Sequence, residues 1–566
     1  MIKKIIIVLG FRFFLVTCNS TTTPAAINDY IETGPVDGVL VPSPFSKGVN
    51  FSGWFDAASA QGISFTVYTE QDFINAKSLG VDIIRLPVKF HSMTGGEPDY
   101  TLDPLLFRFL DIAVDWAEKH GIYIIIDNHS LHDGGITGDN VDEILLPVWA
   151  QVARHYKDRS DYVLYEIMNE PYGISDKRWG EIQGMAIETI RRYDGKHTII
   201  VGGTEYNSVG KLSYIPEYTD RNLIYTFHFY DPLIFTHQGA IWASPLEHLS
   251  GLPFPAARRR MPRINSRLRG TWVENAMLNY LKEADYSKLL DTLNRVVAFS
   301  RERDVPVFCG EFGVYMLTSP VDDRVRWYEF VSRAMDSRNI PRTSWDYYGG
   351  FGIFNTGGRG DFNSDLNTGV VRAMGFTPPP QIPRIVEKRR SGFTLYDDFP
   401  GEENSIGHWG NNADFSLYDI NSAEGEFAIR WGNASQHDGF WFWFDRNGDF
   451  SELASAGYCL EFLARADKPV RFDVRFLNPD DASSIPWRMS YTIDESVLPP
   501  DGMWHIVRIP FNDMREQGAW SHVRQEWFNP RGEFSWDQIT QLGFAAETNA
   551  LPGCQIWFDN IKITEH

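Results

Sequence analysis

From residue 47 to residue 348, short apolar runs alternate with stretches whose apolar residues recur every three or four positions. The runs are KGVNF (47–51), VDIIRLPV (81–88), IYIIIDNH (122–129), YVLYEIMNEP (162–171), HTIIVGG (197–203), LIYTFHFYDP (223–232), VPVFCGEFG (305–313) and RTSWDYY (342–348). Bodies that are apolar throughout fit strands buried on both faces of a parallel sheet. The stretches 68–79, 104–119, 143–156, 177–192, 287–303 and 322–336 predict amphipathic helices between them. Eight strand–helix units predict an α/β fold, a (β/α)8 TIM barrel over 42–376. A doubly wound open sheet is the other arrangement of such units. It calls for a Gly-rich phosphate loop after the first strand, which the sequence lacks. The connection from Asp231 to about Asp285 is long, and it carries FTHQGAIW and RRRMPRINSRLR. Its arginines read as a solvated or acid-paired face, and functionally as a lid over one end of a cleft.

After a Pro-rich linker at 377–392 (TPPPQIP), the pattern changes to a period of two. GFWFWF, YCLEFLARA, VRFDVRFL, WHIVRIPF, LGFAAET and QIWFDNIKI predict an all-β jelly-roll sandwich over 393–566. Ten of the 18 Trp lie here, so the aromatic excess is concentrated in this module. Trp441 and Trp443 alternate with Phe440, Phe442 and Phe444, so one set must face outwards.

The first 18 residues read as an export signal, with Lys3 and Lys4 ahead of an apolar run from Ile5 to Val16 broken by Arg12. The run is too short to span a membrane. Residues 19–41 read as a tether. Leu15-Val16-Thr17-Cys18 resembles a bacterial lipoprotein signal, which would place a lipid on Cys18. The other reading is an ordinary cleaved signal. Either way the chain is expected to be exported, secreted or lipid-anchored at a bacterial envelope, and monomeric. An exported chain permits a Cys459–Cys554 disulfide, whereas Cys309 reads as a buried strand residue.

Lys and Arg number 53 against 74 Asp and Glu, for a net charge of −21. Such a chain does not track a phosphate backbone, so nucleic acid is excluded as a partner. A neutral polysaccharide is indifferent to the charge, and 14% aromatic residues suit stacking on sugars.

In a barrel the strand C-termini carry the chemistry. Here they supply Arg85, His129, Asn169 with Glu170, His228 with Tyr230, Glu311 and Trp345. The motifs IRLPV, IDNH, IMNEP, FHFYDP, CGEFG and SWDYY together resemble glycoside hydrolase family 5 over roughly 47–376. The resemblance implies a retaining endo-β-1,4-glucanase that needs no cofactor. It implies Glu170 as general acid/base and Glu311 as nucleophile. Arg85 and Tyr230 would hold Glu311, Asn169 the sugar 2-OH, and His129 and His228 sugar hydroxyls or Glu170. Trp345 would lie under a pyranose ring. Retention requires the two carboxyl groups about 5–5.5 Å apart.

Trp54 and Trp242 are further stacking candidates, with Tyr347 and Tyr348 behind them. His129 and His132 lack an acidic or thiolate partner at metal-ligand spacing. The region 393–566 resembles jelly-roll carbohydrate-binding modules through LYDDF, WHIVRIPF and WFDNIKI. That resemblance implies a structural Ca2+ with Asp398 and Asp559 as candidate ligands, and either glycan binding or simple packing on the barrel. Two rival functions stand beside the glucanase. One is a mannanase or xyloglucanase using the same site. The other is a non-catalytic surface glycan-binding protein, which would tolerate loss of either glutamate.

Overall fold

The computed structural model describes residues 41–566, apart from 131–135, 356, 359, 384–387, 402–403, 411–413 and 482–483, and gives only the backbone of 445–447. The expected signal and tether, Cys18 and His132 lie outside the described residues. No helix among those described is long and apolar enough to cross a membrane.

All eight expected barrel strands form. They are β1 (Lys47–Asn50), β2 (Ile83–Val88), β3 (Tyr123–Asn128), β4 (Val163–Glu166), β5 (Thr198–Gly202), β6 (Leu223–Phe229), β7 (Val307–Phe312) and β8 (Arg342–Ser344). They pair in parallel and in sequence order, and β1 joins β8 to close the barrel. The six expected helices are present, and their starts are fixed by local chemistry. Asp103 caps Pro104–Lys119 by accepting from the Leu105 N–H at 2.9 Å, with Pro104 at the first helical position.

The pleat of each strand sends alternate residues into the barrel. Ile83, Ile125, Leu164, Ile200, Ile224 and Phe308 make one apolar layer there, closed below by Phe45. Two residues further along each strand the inward positions turn polar, with Arg85 on β2, Asp127 on β3, Glu166 on β4 and Thr226 on β6. Continuing in the same phase gives His129, Glu170 and His228. Strand β7 reaches that layer through a register shift, in which Phe227 faces Cys309 and His228 faces Glu311. The extra residue is Gly310. A Cβ there would lie 2.8 Å from Thr226 Oγ1 and 3.1 Å from His228 Nε2, so only glycine fits.

The long connection after β6 is not without structure of its own. It contains a helix, Trp272–Glu283, which buries Val273, Met277 and Tyr280. Arg260 pairs with Asp323, at 3.0 Å from Nη1 to Oδ1. The acid-paired reading therefore holds for Arg260, and none of these arginines lines the cavity described below.

The C-terminal region forms two antiparallel sheets of seven and six strands, plus a small hairpin. Their inner faces meet through Phe440 against Phe558 (ring centroids 5.3 Å apart) and Phe462 against Phe544 (5.5 Å). Phe440, Phe442 and Phe444 are the inward set. Trp441 and Trp443 lie on the opposite face, their rings over Gly543 and Gly407. The sandwich packs on the barrel. The Tyr418 hydroxyl donates to the Ile63 carbonyl (2.6 Å) and accepts from the Phe65 N–H (3.1 Å), while its ring meets Phe109 (4.7 Å).

One expectation for this module, the disulfide, needs correction. Cys459, Cys554 and Cys309 are all free thiols. Cys459 pairs with Thr564, at the opposite end of the strand that begins beside Cys554. Ten residues of strand separate them, about 33 Å, far beyond disulfide reach. Asp398 and Asp559 are anchors for backbone. Asp398 Oδ1 accepts from the N–H groups of Glu426 and Phe427 (2.5 and 2.7 Å), and Asp559 Oδ2 from those of Ala423 and Glu424 (2.7 and 3.0 Å).

Candidate active site

The polar layer in the barrel is organised by Arg85, which is fully buried. Its Nε and Nη2 grip both oxygens of Glu166 at 2.7 and 3.0 Å. Nη1 donates to Asn50 Oδ1 (3.0 Å) and Glu311 Oε1 (2.9 Å), and Nη2 to Asn169 Oδ1 (2.8 Å). Nη2 also lies 3.0 Å from Asp127 Oδ2. One cation therefore faces three buried carboxylates. The planar guanidinium can do this because its donors diverge in fixed directions.

Glu311 is held from both sides. Arg85 takes Oε1, and the Tyr230 hydroxyl donates to Oε2 at 2.8 Å. Burial raises the Tyr230 pKa, with the Glu311 and Glu170 charges adding to it, so the phenol stays a neutral donor. Glu170 meets His228, whose Nδ1 is 2.6 Å from its Oε1 and 3.6 Å from Glu311 Oε2. Burial lowers His228 to about 4, so the imidazole is neutral near pH 7. Burial likewise raises Glu170 to about 7, although His129 and Arg85 pull the other way. His129 sits 2.7 Å from Asp127 and stacks on Trp345 at 5.4 Å and 13°. Burial pushes its pKa down, but the Asp127 hydrogen bond and charge outweigh that and raise it. Asn169 turns its oxygen to Arg85, and its NH2 lies 3.5 Å from His129 Nε2, which shares the cavity wall with it.

Glu170, His228 and Glu311 each present an atom within 4.8 Å of the others'. They are the one ligand-type cluster among the described residues; His228 hydrogen-bonds Glu170, and Glu311 accepts from Tyr230. Above them opens a cavity of about 450 Å³, lined by His129, Asn169, Glu170, Tyr230, Glu311 and Trp345. Trp242 is 59% exposed on its rim, edge-on to Tyr315 at 5.0 Å.

Trp54 does not reach this cavity. It is 1% exposed, its Nε1 donates to the Phe65 carbonyl (2.7 Å), and it packs among Phe55, Phe65 and Tyr68. It is a core residue, and the turn after β1 carries it outwards against the helices. Trp54→Ala is expected to cost about 3–5 kcal/mol of stability, seen as an early denaturant midpoint, with KM of the folded enzyme unchanged. Tyr347 and Tyr348 also pack inwards, and the Tyr348 hydroxyl donates to Asp72 at 2.6 Å. Conversely, Asp127, Glu166, Asn50, His237 and Tyr315 belong to the site or its frame, although motif reading passed over them. Glu166 and Asp127 carried a signal, a charge inside an apolar strand at the inward phase.

Residues 46–350 match the family Cellulase (glycosyl hydrolase family 5). The chain belongs to this family. Its members need no cofactor for catalysis. Endoglucanase 3 of Fibrobacter succinogenes is 28% identical over 356 residues, which is 58% of this chain and 52% of that protein. Endoglucanase H of Acetivibrio thermocellus is 26% identical over 571 residues, 96% of this chain and 57% of that protein, so the match extends through the sandwich. The chain thus spans little more than half the length of these relatives. Among solved structures, endoglucanase Cel5A from the hyperthermophilic Thermotoga maritima superposes with a TM-score of 0.50 at 26% identity, covering 58% of this chain and 96% of that one.

Proposed function

We propose that this family 5 chain is a retaining endo-β-1,4-glucanase, with Glu311 as nucleophile and Glu170 as general acid/base. The observation that carries the reading is the approach of the two carboxylates to within 4.8 Å, oxygen to oxygen. So close an approach favours direct attack by one carboxylate over inversion, in which the carboxyl groups stand about 6.5–9.5 Å apart with a water between them and the sugar. Glu311 attacks the anomeric carbon as the glycosidic C–O bond breaks, and the Glu170 proton passes to the departing oxygen. In the second half Glu170 takes a proton from water, whose oxygen displaces Glu311 from the same carbon. The endoglucanase names of the relatives support a glucan substrate. A panel of carboxymethyl cellulose, barley β-glucan, xyloglucan and mannan tests it, and cleavage of mannan or xyloglucan alone would assign one of those substrates instead.

Glu170 must be protonated to act as acid. With its pKa raised to about 7, kcat/KM is expected to fall as pH rises through that value. On an activated aryl glycoside, whose leaving group needs no proton, the fall in glycosylation disappears in Glu170→Gln. The same shift bears on stability. A carboxyl with a folded pKa above its unfolded one binds more protons when folded. Its contribution is complete below the unfolded value and is lost as pH rises towards 7.

Export, with lipidation of Cys18, belongs to the same reading and is tested by palmitate labelling of the wild type against Cys18→Ala. The outward Trp441 and Trp443, with exposed Trp520 and Trp527, support a glycan-contacting role for the sandwich.

A further inference from the structure

The turn after β5 holds three successive residues other than glycine in the left-handed region. Glu205, Tyr206 and Asn207 have φ of 52°, 60° and 53°. Residues with a Cβ visit that region singly, and a run of them is costly. Such strain persists where the surrounding fold needs what it places. Here it places Asn207, which is 1% exposed, beside β6, where Ser208 bridges to His228. Asn207 Nδ2 lies 3.5 Å from His228 Nε2. Two glycines make room for the pair. A Cβ on Gly202 would collide with Asn207 Oδ1, and one on Gly310 would lie 3.1 Å from His228 Nε2. Oδ1 is buried with no hydrogen-bond partner among the described residues. An amide that leaves its oxygen unpaired in the interior costs stability, so the residue is kept for its NH2.

A neutral imidazole carries its proton on one of two nitrogens, and the neighbours decide which. Nδ1 of His228 faces Glu170 Oε1 at 2.6 Å, and Nε2 faces the Asn207 NH2. An NH2 donates and does not accept, so Nε2 is the lone pair and Nδ1 the N–H. That choice reaches Glu170. With Nδ1–H donating to Oε1, the proton of the acid sits on Oε2, the oxygen that His228 does not occupy. In the other tautomer Nδ1 is the acceptor and draws the carboxyl proton onto Oε1, away from the leaving group.

We propose that Asn207 is a positioning residue, which donates to His228 Nε2, selects the Nδ1–H tautomer and so keeps the Glu170 proton on Oε2. As the glycosidic C–O bond breaks, that proton passes from Oε2 to the departing oxygen, and Nδ1–H steadies the new carboxylate through Oε1. In the second half water returns a proton to Oε2, and the imidazole proton never moves. The assignment rests on the acid/base role of Glu170 and deepens it.

The first test is a nitrogen-15 spectrum of the full chain with labelled histidine at neutral pH, the His228 signals being identified by their loss in His228→Gln. It reads which ring nitrogen is protonated, and Nδ1–H is expected. The second test is Asn207→Asp, which keeps the shape and tolerates the same backbone but offers Nε2 an acceptor. The charged and titratable groups already acting on His228 are Glu170, Glu311, Asp127, Arg85 and His129. A further carboxylate either turns the imidazole proton over to Nε2 or charges the ring, and both take the proton from Oε2. On phenyl β-cellobioside, whose leaving group needs the proton, kcat/KM is expected to fall about 10- to 100-fold at neutral pH. The basic limb of its pH profile moves below the wild-type value of about 7. On dinitrophenyl β-cellobioside, whose leaving group needs none, the glycosylation rate stays within about threefold of wild type. Asn207→Gly accepts the left-handed backbone and only removes the donor, so it loses about 3- to 10-fold on the phenyl glycoside. An Nε2–H in the wild type, or equal losses on the two glycosides in folded Asn207→Asp, overturns the proposal and leaves the hydrolase reading intact. Absence of turnover of every panel glycan by the wild type overturns the hydrolase reading, and the proton-holding role with it.

Discussion

Replacing Glu311 with alanine lowers turnover by about 10⁴-fold or more, as removal of a covalent nucleophile does in other enzymes. The geometry makes this loss specific. Glu311 is the carboxylate whose two oxygens are taken by Arg85 and Tyr230, at 2.9 and 2.8 Å. Those donors align it and stabilise it as an acceptor, and no other glutamate on the cavity floor has that pair. Azide entering the space left by the shortened side chain attacks from the same face, so activity returns with a glycosyl azide of inverted configuration. The check is the initial rate on an activated aryl glycoside with and without azide, followed by the anomeric signal of the product. Full activity in the variant would place the nucleophile elsewhere.

Arg85→Met carries the second large effect, and it falls on folding and chemistry together. The substitution removes the one cation that touches Asp127, Glu166 and Glu311, whose side chains are 0%, 1% and 6% exposed. Breaking a buried pair from one side costs about 3–5 kcal/mol, because the remaining charge has neither water nor partner. Glu166, whose pKa burial already raises to about 7, loses the cation that opposes that shift, so it holds its proton more tightly. The variant is therefore expected to be most stable in mild acid and to lose stability as pH rises, which urea titrations at pH 5 and pH 7 would detect. Turnover falls as well, since Glu311 and Asn169 lose the donor that orients them. Arg85→Lys does little better, because a single ammonium cannot span five residues. Wild-type stability and rate in Arg85→Met would contradict the central place given to this residue.

The barrel was legible because its strands obey one simple rule. Buried on both faces, they read as unbroken apolar runs, and each ends in a residue with chemistry. Glu170, Glu311, Arg85, His129, Asn169, His228, Tyr230 and Trp345 all meet at one mouth for that reason. Glu166 and Asp127 escaped because they sit one layer deeper, where a charge looks like an interruption of the strand. Counting in twos back from Glu170 and His129 would have put them beside Arg85. Trp54 misled for the opposite reason. An aromatic just after a strand is placed by a turn whose direction the local pattern does not encode, and here it turns outwards. The helix Trp272–Glu283 was hidden between arginine-rich coil and a capping Asp285, although Val273, Met277 and Tyr280 keep helical spacing. The disulfide failed on topology, since Cys459 and Cys554 lie at opposite ends of neighbouring strands.

The central claim is that Glu170 and Glu311 act together in a double displacement. The most direct measurement is proton NMR of the first sugar anomer released from a soluble β-1,4-glucan oligosaccharide, recorded before mutarotation sets in. The β-anomer appearing first, with the α-anomer growing only at the mutarotation rate, is the predicted result. An α-anomer released first would mean a single displacement and would contradict the account.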